Sequence, residues 1–115
     1  MSAQIVSAHL DAAWNSEWDT LRQSLSDNPR LIIRSGDSTH TELQISGLYR
    51  FISQAWDFLP GTVHLNEKLD GVVEAEMCLT NGQGWAKKVV GNYRIRDGRI
   101  DLVDLTDSKA AEGSC

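Results

Sequence analysis

The chain has 115 residues, 41% hydrophobic and 23% charged, with a net charge of −5 at pH 7 and a pI near 5.0. That length fits one ordinary domain with a single core. The acidic balance and the scatter of the Lys and Arg residues leave no basic footprint for a nucleic-acid backbone, since the densest cluster, Arg94, Arg96 and Arg99, surrounds one turn beside Asp97 and Asp101. No apolar run approaches the ~20 residues of a membrane span. The opening "MSAQIVSAHLDAAW" lacks the basic start and unbroken apolar stretch of a signal peptide.

Residues 3–26 read as helix, with Val6, Leu10, Ala13 and Trp14 on one face and Trp18, Leu21 and Leu25 continuing it. A break near Asn15 and Ser16 is expected, because Ser16 with Asp19 resembles a capping box. "SDNP" ends the helical stretch, and "RLIIRS" (30–35) is a β-branched strand. After a polar connection, Ser46 can cap a second major helix carrying Leu48, Phe51, Ile52, Ala55, Trp56 and Leu59, stopped by Pro60-Gly61. The rest reads as a β-meander: "TVHLNEKL", turn "DG", "VVEAEMCLT", turn "NGQG", "WAKKVVGNYRI", turn "RDGR", "IDLVDLTD". Helices first and hairpins after predict an α+β layered domain. Its expected bounds are 1–108, followed by a small, polar, flexible tail, 109–115. Cys78 and Cys115 show no metal-ligand spacing and no nearby partner, which predicts a reduced, cytoplasmic protein.

Two-residue turns assign the side chains to faces. Around Asp97-Gly98, Ile95 pairs with Ile100, Arg94 with Asp101, Tyr93 with Leu102 and Gly91 with Asp104. Asp101 is then half of an outer ion pair, and Asp107 a surface or terminal-turn residue. Asp104 lies on the apolar wall, where burial raises a carboxyl pKa. Around Asp70-Gly71, His64 pairs with Met77 and faces inward, leaving Val63 and Leu65 outside unless the turn is longer.

This order of elements resembles the nuclear transport factor 2-like superfamily, especially its SnoaL-like and ketosteroid-isomerase-like members. The resemblance rests on "AAWNSEWDTLRQSLSDNP", "SGLYRFISQAWDFLPGTVHL" and the closing hairpin "GNYRIRDGRIDLVDLTD", and covers roughly residues 4–107. It implies a cone (a cystatin-like α+β barrel), in which a curved antiparallel sheet wraps around N-terminal helices and an apolar pocket opens at the wide end. It also implies homodimers through the outer sheet face, here carrying Val63, Leu65, Cys78, Val90 and Val103. The closing strand is most similar to that of limonene epoxide hydrolase, and "DLTD" places Asp104 at that family's general-base position. Its Arg and second Asp correspond here to Met77 and Leu79, and its polar first strand to "LIIR". The first-strand base of ketosteroid isomerases falls on Ile33, and their later Asp near Gly91.

The expected function is a cofactor-free isomerase, cyclase or epoxide-hydrolase-like enzyme acting on an apolar organic ligand. Asp104 would be the general acid/base, with Tyr93 or His64 assisting. Trp14, Trp18, Trp56, Met77, Leu79 and Leu102 would line the pocket. No residue spacing predicts a metal or a cofactor. His9 reads as a core-edge residue and His40 as exposed. The competing reading is a non-catalytic ligand-binding or dimerisation module, which the apolar Met77 and Leu79 favour. An open pocket of several hundred Å³ separates the first reading from a cone plugged by Trp and Met side chains.

Overall fold

The computed structural model describes residues 2–42, 44–54, 57–113 and 115. Helix α1 (Ser2–Trp14) buries Val6, His9, Leu10 and Ala13 at helical spacing, and α2 spans Trp18–Gln23. Ser16 separates them with a left-handed backbone, φ 57°, at the break the sequence predicts. Strand β1 (Leu25–Ser35) starts earlier than expected. It pairs Leu25 with Ile100 and next Arg30 with Leu102, so "SDNP" is a bulge inside a strand rather than the end of a helix. Pro29, which has no N–H to give a ladder, fits such a site.

β2 (Ser38–Glu42) completes a hairpin with β1 in the stretch expected to be a polar connection. α3 (Ile45–Ser53) buries Ile45, Leu48, Tyr49 and Ile52 and stops at Gln54, whose left-handed φ of 50° closes its last turn. The helix predicted to run to Leu59 is therefore shorter, and Leu59 begins β3 (Leu59–Glu67). Ala55 and Trp56 lie outside the described residues. β4 (Val72–Thr80), β5 (Trp85–Arg96) and β6 (Arg99–Asp107) fall where the hairpin signals place them, and β7 (Ala111–Glu112) adds to β5.

The strands lie in the order β2-β1-β6-β5-β4-β3. β1 runs parallel to β6 and the other neighbours are antiparallel, so the sheet is mixed rather than purely antiparallel. The curved, unclosed sheet and the helices packed inside it make the α+β cone expected from the sequence.

Two single-residue irregularities reset which side chains face the cone. The hairpin around Asp97-Gly98 has the predicted Ile95–Ile100 pair, but Arg94 then pairs with Leu102, leaving Asp101 as a bulge. From there Tyr93 pairs with Val103 and Gly91 with Leu105. Side chains alternate along a strand, so this one-residue shift exchanges the faces. Val103 and Leu105 are wholly buried, while Leu102 and Asp104 point outward. The turn after β3 likewise spans three residues, Leu69–Gly71, not two: Lys68 N–H bonds the Val72 carbonyl, and Glu67 pairs with Val73. His64 therefore pairs with Glu76 on the outer face, while Val63 and Leu65 pair with Met77 and Ala75 on the inner one.

These shifts remove three of the five apolar residues expected on the outer face: Val63, Leu65 and Val103. A fourth, Cys78, forms a disulfide with Cys115. That bridge joins the two cysteines that the sequence reads as reduced, and β7 pairs within the stretch it reads as a tail. No helix among the described residues is long and apolar enough to cross a membrane.

Candidate functional site

The cone axis is filled. Tyr49, Tyr93, Leu48, Ile52, Met77 and Leu79 are all essentially without solvent contact. Met77 and Leu79 thus stand on the expected wall but face packed side chains. Leu102 is on the opposite face.

Through this core runs a continuous string of polar atoms. Tyr93 Oη lies 2.7 Å from Tyr49 Oη, Tyr49 Oη 2.8 Å from His9 Nε2, and His9 Nδ1 2.7 Å from Ser24 Oγ. Ser24 Oγ donates to the Leu21 carbonyl at 2.5 Å, and this last bond orders all the others. Ser24 has spent its proton, so it accepts from His9 Nδ1–H. The neutral imidazole then accepts at Nε2 from the Tyr49 hydroxyl, which in turn accepts from Tyr93. Burial depresses the His9 pKa to about 3, so the ring stays neutral as this scheme requires. Burial also raises both phenols above their ordinary range.

The string joins α1, α3, β5 and the end of α2, and every member is satisfied. Trp14 sets its ring edge-on to Tyr49, with centroids 5.7 Å apart. Gly91 leaves space for the Tyr93 ring: a Cβ there would meet Tyr93 Cε2 and Leu105 Cδ2 at 2.7 Å. The sequence alone does not single out His9 and Tyr49, because their partners come from elements far along the chain.

The carboxylate on the inner wall is Asp107, not Asp104. Asp107 pairs with Val89 in the sheet, and its carboxyl is 3.2 Å from Lys87 Nζ. Both side chains are buried, and Lys87 also lies 5.3 Å from the centre of the Phe58 ring. Burial pushes the Asp107 pKa above the usual carboxylate range, against the pull of Lys87.

Asp104 sits outside and accepts two hydrogen bonds from Arg34, Nε at 3.0 Å and Nη2 at 3.1 Å. Asp101 is held the same way by Arg94, as predicted, and this partner keeps its pKa below the usual range. His64 is exposed on the outer face, and His40 is exposed with its ring edge-on to Phe51. Tyr93, His64 and Asp104 therefore do not converge. Among the described residues no group of three or more His, Cys, Asp or Glu could hold a metal ion.

A hollow of about 380 Å³ lies beside the cone axis, between α2, the start of β1 and the start of α3. Trp18, Leu25, Leu31 and Ile45 supply its apolar surface, and Arg22 and Gln44 stand among its polar groups. Trp18, which the sequence reading placed in a pocket at the wide end of the cone, lines this hollow instead. A second hollow, about 420 Å³, separates Trp14 and Leu10 on α1 from Val63 and Leu65 on β3.

No protein-family model matches the chain, and no curated protein matches it. Solved structures do. An LEH-like epoxide hydrolase from M. tuberculosis is 23% identical, with a TM-score of 0.62 over 92% of this chain and 81% of that one. A candidate ketosteroid isomerase from Kribbella flavida is 18% identical, with a TM-score of 0.70 over 96% and 80%. A protein of unknown function from Burkholderia xenovorans is 16% identical, with a TM-score of 0.66 over 97% and 86%.

Proposed function

We propose, from the nuclear transport factor 2-like fold that this chain shares with those structures, that it is a small-molecule-binding protein. Its ligand sits in the hollow between α2, β1 and α3 rather than on the cone axis. The observation that carries this reading is the hollow of about 380 Å³ walled by Trp18, Leu25, Leu31 and Ile45, within the ~300–1,000 Å³ range of small-molecule sites, beside the packed side chains of the cone axis. An apolar ring packs on Trp18, and a polar or anionic substituent meets Arg22. A panel of terpenoid, phenolic and aromatic carboxylic acids, screened by ligand-observed NMR, tests it. A binder is expected whose affinity falls about tenfold or more in Trp18→Ala, the loss of a buried aromatic contact, and stays unchanged in Asp104→Asn. Equal binding by Trp18→Ala would reject the site.

One observation favours a second reading, a cofactor-free proton-transfer enzyme: the raised, inward carboxyl of Asp107 beside Lys87. In that reading Asp107 takes the acid–base role the sequence assigned to Asp104. Turnover lost in Asp107→Asn and kept in Asp104→Asn supports it; the reverse pattern restores Asp104.

A further inference from the structure

The end of the cone that holds Lys87 and Asp107 is closed by the residues that follow β6. Directly after Asp107, Ser108 replaces a ladder partner: its hydroxyl accepts from Lys88 N–H at 3.0 Å and donates to the Lys88 carbonyl at 2.6 Å. Ala110 packs against the core. Ala111 and Glu112 pair with Ala86 and Trp85, and Gly113 N–H bonds the Gly84 carbonyl at 2.7 Å. Cys115 then crosses β5, its sulfur 3.5 Å from the Lys87 carbonyl, and joins Cys78 on the outer face of β4. Thus the segment bearing Lys87 is collared on one side by β7 and on the other by the bridge.

This collar is lightly held apart from its one covalent bond. β7 contributes two paired residues, whereas β6 pairs along its length with both β1 and β5. The bridge is also open to attack. Cys115 is exposed, Cys78 is half-buried, and a hollow of about 230 Å³ lined by Thr62, His64, Glu76 and Lys88 adjoins both.

We propose that Cys78–Cys115 is a thiol–disulfide exchange site for a dithiol reductant, and that its reduction unlatches β7 from the Lys87–Asp107 end of the cone. One thiolate of the reductant attacks Cys115 Sγ; the disulfide breaks, and Cys78 leaves as a thiolate and takes up a proton. The reductant's second thiol resolves the mixed disulfide and frees the Cys115 thiol. Two electrons and two protons pass to the protein, and the reductant becomes a cyclic disulfide. With Ala110 and β7 released, Lys87 and Asp107 gain solvent. This inference goes beyond ligand binding at Trp18 and stands whether or not that hollow is occupied.

Amine acylation followed residue by residue with mass spectrometry tests it, using dithiothreitol as the reductant. In oxidised protein Lys87 is protected and Lys88 reacts. On reduction the Lys87 rate rises about tenfold or more while the Lys68 rate holds, the signature of local opening. Cys115→Ser labels at the reduced rate with or without dithiothreitol. An unchanged Lys87 rate overturns the proposal. So does loss of the far-UV circular dichroism signal on reduction, because the bridge would then hold the whole fold and not a latch.

Discussion

Asp104 and Asp107 share one strand, and their surroundings are opposite. Asp104 lies on the outer face, where Arg34 holds it with two hydrogen bonds in contact with water. Asp107 points inward to a lysine that is itself almost without solvent contact. The outer pair has water as an alternative partner and contributes little to stability. The inner pair has none, so removing either member strands a buried charge. The difference arises at Asp101, whose bulge decides which later residues of β6 face the core. On this strand the identity of a side chain says less about its chemistry than the count of residues since the last turn.

Inserting one alanine between Val103 and Asp104 breaks the comparison most completely. In a regular ladder the extra residue would turn Asp104 and Thr106 inward and Leu105 and Asp107 outward, and loss of cooperative thermal unfolding is expected. An insertion variant that melts near the parent would show that a second bulge absorbs the extra residue at no cost. Next is Asp107→Ala, which leaves Lys87 unpaired and is expected to cost about 3–5 kcal/mol in chemical denaturation. Lys87→Met with Asp107→Leu should recover much of that loss, because a packed apolar pair needs no charge compensation.

The inner face also contains a pH-dependent element. His9 titrates near 3 when folded and near 6.5 when unfolded. Between those values the unfolded chain binds the extra proton, so stability falls as pH falls through the window. At about 1.4 kcal/mol per pH unit, roughly 2 kcal/mol should be lost on going from pH 8 to pH 5. Denaturation midpoints across this range should slope in the parent and flatten in His9→Gln; parallel slopes would remove His9 as the cause. The smallest effect is expected outside. Asp104→Asn breaks a solvated pair and should shift the melting temperature only slightly. A large shift would mean that the outer pair is sealed, as by a second copy of the chain.

The limits of β4, β5 and β6 were legible because Asp-Gly, Asn-Gly and β-branched runs mark them directly. So were the break at Ser16, the Arg94–Asp101 pair and the inward row Val73, Ala75, Met77 and Leu79. Facing was not, because one extra residue at Asp101 and another in the turn at Leu69–Gly71 inverted everything beyond them. The sequence carries one trace of the first: Ile100, Val103 and Leu105 cannot share a face under strict alternation. The polar string was illegible for another reason. His9, Tyr49 and Tyr93 each resemble ordinary core residues until three elements bring their heteroatoms within hydrogen-bond distance. Likewise nothing local to Cys78 points to Cys115.

The parallel pairing of β1 with β6 governs how the chain must assemble. Leu31, Ile32 and Ile33 lie against Val103, Asp104 and Leu105, far along the chain. During synthesis the first hairpin therefore emerges with an apolar edge that has no partner until β6, about 70 residues further on, has been made. A loop of that length must close before those contacts reward it, which makes for slow folding. Until then the exposed edge is open to pairing with another chain, and kinetic competition with aggregation is decided there.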